Sequence, residues 1–567
     1  MKKRQVRVRM AAFAAAVRKR PIAAAILAAA AALAVILAVL FAGNGRVFSG
    51  IFKDDSGLAM VREGDPKVLH KKGDRQGTLR VYAGDVTGVI NPAYAAAEGD
   101  RIVSSVIFEP LMCLGADGRL TPVLAKRFAM SEDGSTCTIQ LRKNVRFSDG
   151  TGLTAEDAVF SIAAMCAAGQ AEAGPYANIK GADQYQEGMG GVPEGIRALD
   201  DLSLEVAFSV PSPDNLEILQ TRIQKRPQNL EDSFLPALQQ LSMGGTGTGA
   251  YMLARGSGGT GIRLEENPNY RSKIRDIKAV EFVNYGTYEI ADAVREQAVD
   301  VAVFTADSSL FQKFLDGPQY TLYEKPLPAL YYMAMNRNDG RLYIPAVRRA
   351  IALSMERQRI TEGPLSAYLV KADGFSPEDS VSAGGWSLAG NKEEAKSLIA
   401  QARELHGLSR EELHLPVLQG NKIQEELAKG IKRDLKKIGF TVDIEVLDQG
   451  EYLQKVYMLQ DFDLILSGAG SWDRTSSWAG LATDLQGLPT ACNSRDLNAA
   501  VEALGNAYSE RAVEAALKEL NRVCCEQVPV VPIARPKQFV AVSADLNGCR
   551  ITRYDDFLQN IHEIRVR

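Results

Sequence analysis

HLPVLQGNKIQEELAKGIKRDLKKIGFTVDIEVLDQGEYLQKVYMLQDFDLILSGAGSWD, residues 414–473, is the stretch that decides the architecture. Leu415-Pro416-Val417-Leu418 reads as a short apolar strand. From Lys422 onward, Ile423, Leu427, Ile431, Leu435 and Ile438 recur at steps of four, four, four and three. That is one face of a helix, with lysines and glutamates on the other. Gly439 ends it, and Val442, Ile444 and Val446 then alternate as a second strand. Residues 451–459 read as another helix and 462–466 as a third strand. Strand, helix, strand, helix, strand with short links predicts parallel strands and right-handed crossovers, an α/β fold.

Such a sheet also says where to look for a site, because ligands sit beyond the carboxyl ends of parallel strands. Two of those ends are Gln419-Gly420-Asn421 and Gly468-Ala469-Gly470-Ser471-Trp472-Asp473, both expected on one sheet edge. Thr305-Ala306-Asp307, after a strand at 299–304, is a third candidate. Glycine lets backbone approach a ligand closely, and Trp472 and Trp478 offer apolar walls. Plain connecting loops are the competing reading of the same residues.

Working outward, 78–86 alternates into a first strand, and strand signals recur at 137–141 and 202–208. Thr154 is placed to cap a helix running on from Ala155. Gly244-Gly245-Thr246-Gly247-Thr248-Gly249 has the look of a phosphate loop but lacks the following helix and the Lys-Ser/Thr. Tyr251-Met252-Leu253 and Ile262-Arg263-Leu264 follow instead, so a hairpin is predicted and the glycines are structural. His406 and His414 are eight apart, not the four that would place two imidazoles on adjacent helical turns; with His70 and His562 they read as solvated. No Gly-x-Ser-x-Gly elbow and no Cys–His pairing is evident, so neither a metal, a cofactor nor covalent catalysis is expected.

The N-terminus is of another kind. Residues 22–42 carry no polar side chain, and 21 helical residues rise about 31 Å, the thickness of a bilayer's hydrocarbon core. Eight cations precede them and no acid appears before Asp54, which keeps the basic tail 1–21 in the cytoplasm and exports the remainder. A signal h-region is shorter, about 7 to 15 residues, which favours a retained single-pass anchor. Asn44 follows Gly43 where a lipoprotein signal would have Cys. Beyond residue 53 the chain holds 56 basic and 69 acidic residues, an acidic body that argues against nucleic acid as a partner. Seven Cys in 567 residues exclude a disulfide scaffold; Cys113, Cys137 and Cys166 read as small core residues. Residues 43–77 are polar and weakly periodic, a spacer between membrane and globule.

Between Asn91 and Ser161 the motifs Ile107-Phe108-Glu109-Pro110-Leu111, Asp117-Gly118, Pro122-Val123-Leu124-Ala125 and Ser131-Glu132-Asp133-Gly134 occur in order. Leu141-Arg142-Lys143-Asn144-Val145-Arg146-Phe147-Ser148-Asp149-Gly150 and Leu153-Thr154-Ala155-Glu156-Asp157-Ala158-Val159-Phe160-Ser161 follow. With Gly247-Thr248-Gly249-Ala250-Tyr251, Asn267-Pro268-Asn269-Tyr270, Val347-Arg348-Arg349-Ala350-Ile351 and Leu435-Lys436-Lys437-Ile438-Gly439-Phe440, the chain resembles family 5 extracellular solute-binding proteins over about 78–545. These are the oligopeptide-, dipeptide- or nickel-binding subunits of ABC importers. The resemblance implies a bilobal, periplasmic-binding-protein-like clamp that closes on its ligand, with two crossing strands and an extra N-terminal subdomain. Lobe 1 would comprise 78–105, 235–285 and 521–567, the extra subdomain 106–234, and lobe 2 residues 286–520.

In peptide-binding members an Asp after a second-lobe strand pairs with the ligand's α-amine, and Asp473 is the positional match. Here it stands in Ser471-Trp472-Asp473-Arg474-Thr475, without the family's second Asp-Pro. The expected ligand set is Asp473 for charge, Trp472 and Trp478 for contact area, and Gly468, Ala469, Gly470, Gly84 and Asp85 for backbone hydrogen bonds. Gln419 and Asn421 lie at the sheet edge and Asn336 at the hinge-proximal wall. The expectation is a monomeric, non-enzymatic binding protein, anchored by 22–42, that captures a small peptide or similar solute and hands it to an ABC permease. The alternative is an anchored receptor or adhesive module uncoupled from transport. A secreted hydrolase is disfavoured by the absent nucleophile–base signatures.

Overall fold

The computed structural model describes residues 58–567 apart from 69–76, 116–118, 168–173, 184–191, 228–244, 256–260, 286–288, 306–307, 328, 376–386, 409–411, 470–487, 493, 508–509, 553–557 and 559. The expected anchor at 22–42 lies outside these residues. Among those described, no helix is long and apolar enough to cross a membrane.

The strand Thr78–Tyr82 forms because Leu79 and Val81, two residues apart, turn to one side and are fully buried there. It is flanked in parallel by Ala279–Val283 and Val301–Thr305. The sheet runs on through Val531–Ser543, Tyr320–Pro326 and Ala59–Arg62 on one side, and through Gly261–Glu266 and Tyr251–Leu253 on the other, all antiparallel. Leu79, Val81, Phe282, Val301, Val540 and Val542 share one apolar cluster. The predicted hairpin after the glycine-rich run is thus the pair Tyr251–Leu253 and Gly261–Glu266.

A second, larger cluster lies around Leu330–Met335, which pairs with Leu464–Ala469 on one side and with the first part of Val531–Ser543 on the other. It takes in Leu413, Leu415 and Val417, and the predicted helical stripe: on Lys422–Lys436, Leu427, Ile431 and Leu435 are fully buried. Ile423, at the helix start, is only partly buried, and Gly439 follows with φ +92°. A third cluster belongs to a four-stranded sheet of Ala125–Met130, Thr136–Leu141, Ser203–Ala207 and Ile196–Asp200, with the helix Ala155–Ala167 packed against it. Thr154 precedes that helix but its hydroxyl accepts from none of the helix N–H groups in the way a side-chain N-cap would; its N–H and hydroxyl both donate to the Asp157 carboxylate, at 2.9 and 2.8 Å.

The long strand Val531–Ser543 is what joins the two large clusters. Val531, Ile533 and Ala534 lie in the second, Val540 and Val542 in the first. This corrects the expected boundaries. Val301–Thr305 and Tyr320–Pro326, assigned to lobe 2 with 286–520, pair instead with the strand's far half in the first lobe's sheet. Residues 521–534, assigned to lobe 1, bury Val523, Cys524 and Val531 in the other cluster. The stretch 43–77 is not spacer throughout: Ala59–Arg62 is an edge strand. The Arg62 guanidinium donates to the carbonyls of Phe314, Leu315, Gly317 and Tyr320 and so ties that edge down.

The three-stranded parallel unit is also revised. Glu412–Leu418 and Thr441–Leu447 pair in parallel as expected, but Leu464–Ala469 makes its ladder with Leu330–Met335. Pro416 supplies the reason. Gln419 donates to Leu447 O, so the odd-numbered amides face the partner strand; those of His414 and Leu418 turn the other way. Residue 416, between them, has no N–H to give. Side chains close the gap: His414 N–H donates to the Asp463 carboxylate at 2.8 Å, and Gln424 accepts from Leu418 and donates to Leu466 O.

Candidate functional site

Register along Val531–Ser543 places the strand ends. Thr305 stands opposite Gln538, so the carboxyl end of its strand finishes at that level, and Thr78–Tyr82 beside it runs the same way. From the other half, Leu464–Ala469 ends where Ala469 faces Leu330 and Gly468 faces Tyr331, itself opposite Ala534. Residues 534 and 538 are about 13 Å apart along a strand. Carboxyl ends from both halves therefore approach the same short crossing, 534–538 beside 326–330.

The crossing is polar in a strand that is otherwise apolar. Arg535, almost fully buried, donates to the carbonyls of Ala329 and Phe375. Lys537 lies 2.9 Å from both the Glu324 carboxylate and Ser366 O. Gln538 donates to Glu98 at the start of the helix Glu98–Ile107. The Tyr331 ring lies on Gly468, whose missing Cβ would sit 3.4 Å from it, and burial raises the Tyr331 phenol above its usual pKa. Sequence reasoning passed over these residues. The signal was the triplet Arg535-Pro536-Lys537 interrupting VPIARPKQFVAVS.

Of the expected ligand residues, Gly84 and Asp85 follow Thr78–Tyr82 at this edge. Gly84 has φ +71° and open space where a Cβ would be, while Asp85 O lies against Gly99 of the helix. Asp100 fixes the loop by accepting from the N–H groups of Thr87 and Gly88 and from the Thr87 hydroxyl. Gly468 and Ala469 end their strand at the crossing. Gln419 is exposed, and Asn421 caps the helix Lys422–Lys436 by accepting from Gln424 N–H at 3.1 Å. Thr305 is exposed at its strand end. Gly470, Trp472, Asp473 and Trp478, with Ala306 and Asp307, lie outside the described residues.

Asn336 is a correction. It is 7% exposed, and its amide group donates to Phe462 O at 2.8 Å and to Gln460 O at 3.3 Å, while its carbonyl accepts from Asn338 N–H at 3.0 Å. That side chain latches the segment entering Leu464–Ala469, with both N–H donors of its amide spent on backbone carbonyls. Asn336→Ala should accordingly lower stability by about 1–3 kcal/mol, the cost of orphaned buried groups, in a denaturant titration. Ligand affinity should stay unchanged; a fall in affinity at intact stability would restore Asn336 to the site.

Two histidines also depart from the solvated reading. His562 packs edge-on against Tyr270 with ring centroids 5.2 Å apart, and burial lowers its pKa. His414 faces acids, with Nδ1 3.2 Å from Glu445. His406 is exposed, and His70 lies outside the described residues. The glycine-rich run is structural as expected: a Cβ on Gly247 would meet Ile107 O at 2.0 Å.

Three comparisons bear on this arrangement. The family described as bacterial extracellular solute-binding proteins, family 5 Middle, matches residues 119–484. The periplasmic oligopeptide-binding protein OppA of Escherichia coli K12 is 28% identical over 387 residues, 65% of this chain and 67% of that protein. The probable ABC transporter periplasmic-binding protein SapA of the same organism is 24% identical over 466 residues, 76% of this chain and 81% of that protein. The unliganded open form of the murein tripeptide-binding protein MppA aligns with a TM-score of 0.74 at 21% identity, covering 87% of this chain and 97% of that one. It shares the periplasmic-binding-protein-like α/β fold.

Proposed function

This chain belongs to the family 5 bacterial extracellular solute-binding proteins, and from that premise we propose that it captures a small peptide or similar solute and delivers it to the permease of an ABC importer. The observation that carries the reading is the meeting of strand ends from two separately packed halves at one short crossing. A ligand held by both halves is contacted fully only when they close, so binding shifts the population toward closure. Binding without chemistry is the role, and relatives named for peptide binding support the substrate class.

We assign ligand contacts to Gly84, Asp85, Gly468, Ala469 and Gly470 through backbone, to Gln419 and Asn421 at the second-lobe edge, and to Trp472 and Trp478 through area. Asp473 takes the ligand's amine. The chain acts as a monomer outside the cytoplasmic membrane, held there by 22–42.

Mass spectrometry of small molecules released from the purified protein tests the function, with intact peptides the expected find. Peptides recovered cleaved after incubation, or no bound small molecule at all, would reject it. Asp473→Asn should weaken a free-amine peptide by about 1.5–3 kcal/mol, the worth of a hydrogen bond to a charged group, or roughly 10- to 150-fold in Kd. Tryptophan fluorescence reads this directly, and equal affinities would remove Asp473 from the site.

A further inference from the structure

Away from the crossing, the parallel pair Glu412–Leu418 and Thr441–Leu447 brings an imidazole and two carboxylates together. Register sets His414 directly opposite Asp443, with Glu445 two residues further along the same face. His414 Nδ1 lies 3.2 Å from Glu445 Oε1 and 3.9 Å from Asp443 Oδ2. One ligand atom from each of the three residues falls within 4.8 Å of the others. We propose that His414, Asp443 and Glu445 form a binding site for one divalent transition-metal ion, of which Zn²⁺ is the probe.

Donor separation is the first reason. Ligand atoms 2.0–2.1 Å from a tetrahedral ion stand about 3.3 Å apart, and the two measured separations bracket that value. One imidazole nitrogen with two carboxylate oxygens also suits a borderline divalent ion better than Ca²⁺ or Mg²⁺, which prefer oxygen throughout.

Support around the donors is the second. Glu445 turns Oε1 toward His414 while its Oε2 is held by Lys455 Nζ at 2.6 Å, the outer hydrogen bond that orients a ligating carboxylate. Lys455 also pairs with Asp461 at 3.2 Å, so its charge is shared between two carboxylates and is not spent on Glu445 alone. The His414 backbone is fixed from behind by Asp463. The side chains of His414, Asp443 and Glu445 are 29%, 53% and 21% exposed, which leaves a path for an ion from solvent. The competing occupant is a proton: a charged imidazole paired with Glu445 would use the same geometry.

Calorimetric titration of the tag-free, chelator-treated full-length chain with ZnCl₂ near neutral pH decides between them. Thiols are alkylated beforehand, because Cys113 and Cys549 are only partly buried. The expected result is one equivalent bound, with His414→Gln and Glu445→Gln each weakening it at least about 10- to 100-fold. Co²⁺ substitution should give a visible d–d band that both variants lose. Asp443→Asn, at the most exposed of the three positions, should weaken binding as well and guards against a folding defect in the others. A wild-type isotherm without stoichiometric binding, or one that His414→Gln and Asp443→Asn leave unchanged, overturns the proposal.

Discussion

Arg357→Ala should cost about 3–5 kcal/mol of stability, read as a drop in the urea midpoint at unchanged slope. Arg357 is almost completely enclosed, its Nε donating to Pro532 O at 2.7 Å and its Nη1 to Leu388 O at 2.6 Å, with Asp373 4.0 Å away. Burial holds the guanidinium pKa down at about 10. Truncation leaves two buried carbonyls without a donor and opens a cavity against the long strand at Pro532. Arg357→Met should recover the cavity part of the loss and not the carbonyl part. Asp373 keeps Lys371 as a partner in either variant. A loss below 1 kcal/mol for Arg357→Ala would mean that water replaces the guanidinium easily and that the enclosure is leaky.

Gly247→Ala should cost about 3 kcal/mol or more, at the upper end for overpacking, because nothing at the contact can rotate away. The new methyl would meet Ile107 O at 2.0 Å and Phe108 Cδ1 at 2.9 Å, and the first of these is backbone. The run cannot drift outward either: Gly249 N–H donates to Ile107 O at 2.9 Å and Gly247 O accepts from Ser148 at 3.0 Å. Gly152→Ala is the matched control, since no atom lies within 4 Å of its missing Cβ; it should stay within about 0.5 kcal/mol. Thermal melts of the two variants side by side check both values. Equal melting temperatures would show that the 245–249 segment does not rest on the helix end as described.

The helix Lys422–Lys436 was readable because its burial is periodic, and Leu427, Ile431 and Leu435 fall where the stripe puts them. The parallel pair beside it was readable for the same reason. What failed was the third strand, because pairing choice is a non-local matter and one proline on a neighbouring strand removes a ladder hydrogen bond there. The lobe boundary at 286 failed likewise. Val301–Thr305 carries an apolar run that suits any buried strand, and only register against 538–542 reveals which half it serves. At the site, Gly84 is a place where backbone is open, as its letter suggests, whereas Gly468 is covered by the Tyr331 ring, which no local spacing announces. Asn336 was misjudged because a buried amide used up by carbonyls and one lining a cleft have the same letter. Arg535 and Lys537 act through tertiary pairing that no local spacing encodes.

Val531–Ser543 passes unbroken from one apolar cluster to the other. A hinge made from such a strand cannot be loosened by fraying at a linker, since every residue is stapled to neighbours on at least one flank. Melting either half would strip that strand of its partners there and weaken its hold on the other half, so the two halves share their thermodynamic fate.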